Sequence, residues 1–354
     1  MSEALMRVFA SPLQRLHDPE RELESSGFQV PFERPHRAVV ILAALAAYGR
    51  FDIAEPADWG MAPIEAVHDP GLVRFLSTAW ADYQREQGPT HDVVPDVFAM
   101  SRLREGMGEV AEPTTTSAKL GWWCFETTTP LTEGTYVAAR SAVDVALSTA
   151  DAVVAGARAA YGLCRPPGHH AGRGLYGGYC FFNNAGVAAH HIATTTGSRV
   201  AVLDVDYHHG NGTQQLFYER DDVAFVSLHG DPVRAYPYHT GFADETGNGR
   251  GRGSTINLPL AAGVDDEGYL AELDRALDAL DAFEPAVVVV SLGVDTYKDD
   301  PICDLAITTE GFQRCGAAVA GRDRPLVILQ EGGYADAALG ANVTAWLHGA
   351  ASTG

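Results

Sequence analysis

Asp206 and His208 stand two residues apart where the apolar run RVAVLDVD passes into YHHGNG. On an extended segment such residues point to the same side, so a carboxylate and an imidazole converge on one point. Asp295, at the end of the run VVVVSLG, can supply a third ligand. Two carboxylates and one imidazole suit Zn²⁺, with a fourth position left for water or substrate. Nearby, PPGHHAG carries adjacent His169 and His170, a pair able to act as general base and general acid when water attacks a carbonyl beside a metal. Tyr334, in EGGY, follows two glycines that let the chain approach a ligand closely, and its hydroxyl can donate to a developing oxyanion. Singly, each residue has an ordinary alternative: a turn cap, a core histidine or a core tyrosine. As a set they read as a hydrolytic metal centre.

Such a set needs strand ends that meet. Residues 199–206, 223–229, 286–292 and 326–330 are continuous apolar, largely β-branched runs, and 161–164 is a shorter one that leads into RPPGHHAG. Runs of this kind suit strands buried on both faces of a parallel sheet. Helix-like stretches alternate with them: alanine-rich 138–160, then 265–283 and 309–320. The pattern predicts an α/β protein, a three-layer α/β/α arrangement around a mainly parallel central sheet. In such sheets ligands bind beyond the carboxyl ends of the strands, where these residues fall. The run 39–48 is too short to span a bilayer and reads as a buried helix. Residues 88–130 are the least regular, rich in threonine and broken by proline and glycine. A loop that long is usually functional or disordered, and Trp122 and Trp123 favour an ordered one.

The 354 residues can bury a large core, and no repeat or long linker divides them. The formal charge of -21 has the wrong sign for a nucleic-acid or anionic-membrane partner, and it accommodates a cationic substrate. The five scattered cysteines include no CxxC pair, so neither a disulfide framework nor a thiolate zinc site is expected. With no secretory pattern at the start, a cytoplasmic location is expected.

The motifs RPPGHHA (165–171), GGYCFFNNAGVAA (177–189), LDVDYHHGNGTQ (203–214), SLHGDP (227–232), SLGVDTYKDDP (291–301) and EGGY (331–334), with PFERPHRA (31–38), resemble the histone deacetylase superfamily. Within it the chain looks closest to bacterial acetylpolyamine amidohydrolases, and Asn211 and Glu331 also fit that branch. The resemblance implies one deacetylase-like domain over 1–354, of the arginase/deacetylase fold. It implies Zn²⁺ (or Fe²⁺) on Asp206, His208 and Asp295. His170 would be the main base and acid and His169 its electrostatic partner, with Asp204 and Asn211 as their hydrogen-bond acceptors. Tyr334 would polarise the carbonyl. Tyr179 and Tyr236, with Gly178 and Ile302, would line a narrow substrate tunnel. K⁺ would sit near the zinc on Asp204, Asp206, His208, Ser227 and Leu228. The loop at about 88–130 would lie at the tunnel mouth and build a homodimer.

The implied reaction is hydrolysis of an acyl amide on a small amine, an acetylpolyamine or a related acetylated amine. Deacetylation of protein acetyl-lysine is the alternative. A two-metal ureohydrolase of the same fold needs extra carboxylates, where this chain has Gly210, Gly293 and Tyr297. A non-catalytic binding protein would be expected to have lost a ligand, a histidine or the tyrosine. Ser117 and Thr128 stand where mouth carboxylates would be expected, and Lys119 adds a positive charge. If they line the mouth, polycations are disfavoured there, unless Glu126, Asp92 or Asp96 compensates.

Overall fold

The computed structural model describes residues 6–108 and 110–352. Ten strands form: β1 (Met6–Ala10), β2 (Glu22–Glu24), β3 (Gly27–Gln29), β4 (Phe51–Ala54), β5 (Ala159–Leu163), β6 (Val200–Asp204), β7 (Val223–Gly230), β8 (Thr255–Leu260), β9 (Val287–Leu292) and β10 (Leu326–Gln330). Eight make one sheet in the order β4-β1-β5-β10-β9-β6-β7-β8, with every pairing parallel. The four strands that precede the HHAG, YHHGNG, VDTYKDDP and EGGY segments are therefore neighbours at its centre. β2 and β3 form a separate antiparallel ribbon.

The helices are α1 (His36–Tyr48), α2 (Ala62–Glu65), α3 (Pro70–Gln87), α4 (Thr116–Trp123), α5 (Thr135–Val154), α6 (Asn184–Thr196), α7 (Asn211–Phe217), α8 (Asp266–Phe283), α9 (Thr309–Ala320) and α10 (Asp336–Ala351). Because successive strand residues face opposite ways, β6 sends Ala201 and Leu203 into one core and Val200 and Val202 into the other. The first core is closed by Ile41 and Leu45 of α1, Leu273 and Leu277 of α8, Val319 of α9 and Trp346 of α10. The second is closed by the small faces of α5 and α6, including Ala142, Ala146, Ala185 and Ala188. These are the three layers expected. Side-chain caps fix the helix starts: Asn183 accepts from Gly186 N–H (2.7 Å), Asp265 from Gly268 N–H (3.1 Å) and Thr308 from Gly311 N–H (3.1 Å).

Three expectations are corrected. The helix predicted over 138–160 ends at Val154, and Ala159 and Ala160 begin β5. Gly156, at φ 112, breaks the two apart, and alanine satisfies either periodicity. The sheet's outer strands β1, β4 and β8 lack long β-branched runs and were not anticipated. Residues 88–130 hold a 3₁₀ turn (Ser101–Arg104) and α4, whose Leu120 and Trp123 pack under α3 with Leu72 and Phe75. Among the described residues no helix is long and apolar enough to cross a membrane.

Candidate active site

Asp204 ends β6, and the chain beyond it turns under its own carboxylates. Asp204 Oδ1 accepts from Asp206 N–H (3.2 Å), and Asp206 Oδ1 from His208 N–H (2.9 Å). Asp295, after β9, accepts from Tyr207 N–H (2.8 Å), and Gly332 N–H, after β10, donates to Asp206 Oδ2 (2.8 Å). His208 Nδ1 thereby lies 3.0 Å from Asp295 Oδ2 and 3.3 Å from Asp206 Oδ1. One donor atom from each of Asp206, His208 and Asp295 falls within 4.8 Å of the others, and all three residues are buried. Burial and the Asp206 charge push the Asp295 carboxyl up, a repulsion that a cation between them would offset. The donor set fits one divalent ion.

The two histidines have different acceptors, and this separates their roles. His169 Nδ1 meets Asp204 Oδ2 (3.0 Å), whereas His170 Nδ1 meets Asn211 Oδ1 (2.7 Å). Burial disfavours charge on His169, but Asp204 and Asp206 together overcome it and raise the ring to about 10. Burial, then the nearby His169 and His208, push His170 well below the ordinary histidine value. Asn211 Oδ1 can only accept, so Nδ1 of His170 carries the hydrogen and Nε2 keeps its lone pair.

A cavity of about 560 Å³ reaches these groups at His170 and His208, and Gly178, Tyr179, Tyr236, Ile302 and Tyr334 also line it. Tyr179 meets Tyr334 edge-on at 5.9 Å between ring centroids, and Tyr236 meets His170 edge-on at 5.0 Å. Gly178 and Tyr179 sit at φ 58 and 64, the two corners of a turn closed by paired Gly177–Cys180 hydrogen bonds of 3.0 Å. A Cβ on residue 178 would run into the His170 ring, so glycine is required twice over there. The Tyr179 conformation costs about 1–3 kcal/mol, and its N–H is held by Thr129 Oγ1 (2.7 Å). Burial pushes the Tyr334 hydroxyl well above 10, which keeps it a donor.

Residues that pattern reading missed hold this rim in place. Glu331 Oε2 accepts from Gly168 N–H (2.6 Å) and His169 N–H (3.2 Å), pinning the histidine loop to β10. Asp300 Oδ2 accepts from Tyr334 N–H (2.7 Å). Buried Arg37 donates to the carbonyls of Gly333 (2.7 Å) and Glu331 (2.6 Å), and it pairs with Glu33, which Arg165 also pairs. Their sequence signals were the PFERPHRA, RPPGHHA, KDDP and EGGY motifs themselves, which gave these residues no stated part in holding the rim. For the expected K⁺ site, β6–β7 pairing sets Asp204 opposite Ser227, with buried Leu228 next along β7. Ser227 Oγ lies 2.8 Å from His229 Nδ1.

The mouth differs from expectation. α4 buries Leu120 and Trp123 and so turns Ser117 and Lys119 away from the cavity. Ser117 lines a separate apolar groove with Val97, Met100, Leu103 and Trp122, and Lys119 Nζ lies 3.8 Å from Glu112. Asp96 belongs to that groove, and Asp92 accepts from the N–H groups of Glu20 and Arg21 (3.1 Å each). Thr128 and Glu126 do line the cavity. Glu126, however, accepts from Thr128 N–H and hydroxyl, Thr129 hydroxyl and Gly178 N–H, so its lone pairs are taken.

Residues 31–350 match the model of the histone deacetylase domain. The chain belongs to the histone deacetylase family. It is 43% identical over 344 residues to acetylpolyamine amidohydrolase 2 of Pseudomonas aeruginosa, covering 97% of this chain and 98% of that protein. It is 41% identical to the acetylpolyamine amidohydrolase of Mycoplana ramosa, covering 98% of this chain and 100% of that protein. The fold superimposes on the crystal structure of acetylpolyamine aminohydrolase from Burkholderia pseudomallei with a TM-score of 0.92 at 39% identity, covering 98% and 99% of the two chains. The histone deacetylase match begins after the β2–β3 ribbon, so the ribbon's part in the cavity wall lies outside it.

Proposed function

We propose that this histone deacetylase family member hydrolyses the acetyl amide of a small acylated amine, an acetylpolyamine foremost. The observation that carries the reading is a cavity that reaches the Asp206–His208–Asp295 donor set at His208 and is lined there by His170 and Tyr334 between two aromatic walls. Whole-length similarity to several acetylpolyamine amidohydrolases supports the amine.

Asp206, His208 and Asp295 would hold Zn²⁺ (or Fe²⁺), which when bound polarises the amide carbonyl and acidifies water. Tyr334 donates its hydroxyl hydrogen to the carbonyl oxygen as negative charge grows there. His170 Nε2 takes a proton from the attacking water and returns it to the amine nitrogen as the C–N bond breaks, releasing acetate and the free amine. His169, paired with Asp204, supplies positive charge beside it. Tyr179 and Tyr236 clasp the methylene chain, and Gly178 and Ile302 complete the tunnel. K⁺ on Asp204, Asp206, His208, Ser227 and Leu228 would steady the loop that carries the ligands.

Val97, Met100, Leu103, Met107 and Val110 are exposed together on the 88–130 loop, an apolar surface that supports a homodimer. A net charge of -21 argues against nucleic acid and anionic membranes. Five free cysteines fit a cytoplasmic, reducing setting. The test is a substrate panel with metal analysis: acetylspermidine, acetylputrescine, acetylcadaverine, an acetylated amine lacking a distal charge, and an acetyl-lysine peptide. About one Zn or Fe per chain, and an acetylpolyamine turned over at least tenfold faster than the peptide, are expected. A peptide preferred by the same margin, or two transition metals per chain, refutes it.

A further inference from the structure

The β2–β3 ribbon carries Leu23, Glu24 and Ser25 into the wall of the active-site cavity. It is held firmly for so short an element. Thr127 Oγ1 donates to Leu23 O (2.7 Å), Gln29 Nε2 donates to Glu22 Oε1 (2.9 Å), and Arg21 lies 4.4 Å over the Phe28 ring. Being two apart on a strand, Glu22 and Glu24 share a side. Glu22 is fully buried, and its Oε2 has no hydrogen-bond partner. Glu24 is half-buried and lines the cavity, and its carboxylate makes no ion pair or hydrogen bond among the described residues.

The other charged groups on the cavity wall have no free hydrogen-bonding position for an ammonium. Glu126 has its four acceptor positions filled, and Arg234 is paired with Asp304 at 2.7 Å. Burial raises the Glu22 carboxyl to about 7 against the hydrogen bond from Gln29, and the nearby Glu24 and Glu126 add to the rise. Negative charge therefore gathers on the ribbon's side of the cavity, where a positive charge would relieve it.

We propose that Glu24 receives the distal ammonium group of the acylated amine, so that substrate charge is recognised from the N-terminal ribbon and not from the 88–130 loop. The proposal rests on the amidohydrolase reading above and assigns the residue that makes it selective for cationic amines.

The test uses the metal-loaded full chain, its E24Q and E24K variants, acetylspermidine and uncharged N-hexylacetamide. In E24Q the ratio of kcat/KM for acetylspermidine to that for N-hexylacetamide should fall about tenfold, carried by KM more than kcat. E24K should lower the ratio further, with a loss that shrinks as salt rises. An unchanged ratio in E24Q, or a wild type that hydrolyses N-hexylacetamide at least as well as acetylspermidine, overturns the proposal. If the wild type hydrolyses neither, the amidohydrolase reading fails by itself. Calorimetric binding of acetylspermidine then decides for Glu24: about tenfold weaker binding in E24Q supports it, and an equal Kd refutes it.

Discussion

A pair of neighbouring histidines becomes two different tools because one faces Asp204 and the other Asn211. A carboxylate acceptor holds His169 charged. An amide cannot, so His170 keeps a neutral ring with a lone pair. His170→Ala should therefore cost about 10²–10⁴ in kcat and more than His169→Ala, both measured at equal metal content. Equal or reversed losses would overturn the assignment. Tyr334→Phe should fold and keep its metal yet lose about 10²–10³ in kcat, since the hydroxyl works on charge that develops in the transition state. Steady-state kinetics beside elemental analysis checks this, and an undiminished kcat on a good substrate would remove Tyr334 from the mechanism.

Elements hold these residues through a few buried polar ties, and one of them titrates. His68, after α2, has Nδ1 2.8 Å from Gly172 O and accepts from Asn183 N–H (2.9 Å) at Nε2, joining the histidine loop to the start of α6. Burial lowers it to about 4, against an ordinary 6.5. The unfolded chain then binds the proton first. The contribution of His68 to stability is complete above pH 6.5 and is lost as pH falls towards 4, reaching about 3 kcal/mol. His17, lowered to about 3 by burial and then Arg165, acts in the same direction. Denaturant titrations at pH 7 and pH 4.5 should show a stability loss about 2–3 kcal/mol larger in wild type than in His68→Gln. Parallel losses in the two proteins would show that His68 is protonated in the fold.

At the scale of the whole molecule, the strand order places the four active-site strands side by side at the sheet's centre. Residues as far apart as Asp206 and Gly332 then touch through a hydrogen bond of 2.8 Å. The exposed apolar side chains of the 88–130 loop lie apart from that core. If they are the dimer surface, Leu103→Asp with Val97→Asp should give a monomer by light scattering while near-native secondary structure persists. A variant that stays dimeric places the interface elsewhere.

Five of the eight sheet strands were legible in the sequence, and so was the cluster of candidate metal donors with the histidine pair and the tyrosine near it. Each depends on short-range chemistry: alternation along a strand, a continuous apolar run, a glycine turn at its end. The outer strands β1, β4 and β8 were not, because their runs are short or mixed and only pairing with a neighbour makes them strands. Nor was the mouth. Ser117 and Lys119 looked like wall residues until α4 buried Leu120 and Trp123 and turned them outward. Glu126 looked like a free carboxylate until the Thr128, Thr129 and Gly178 donors closed on it. Glu24 gave no sign at all, since its place at the cavity comes from a ribbon pinned by Asp92 and Thr127, over a hundred residues away in the latter case. Which groups are proposed to carry the chemistry was written locally. Which charges remain free to meet a substrate depends on hydrogen bonds between distant segments, and those exist only once the chain has folded.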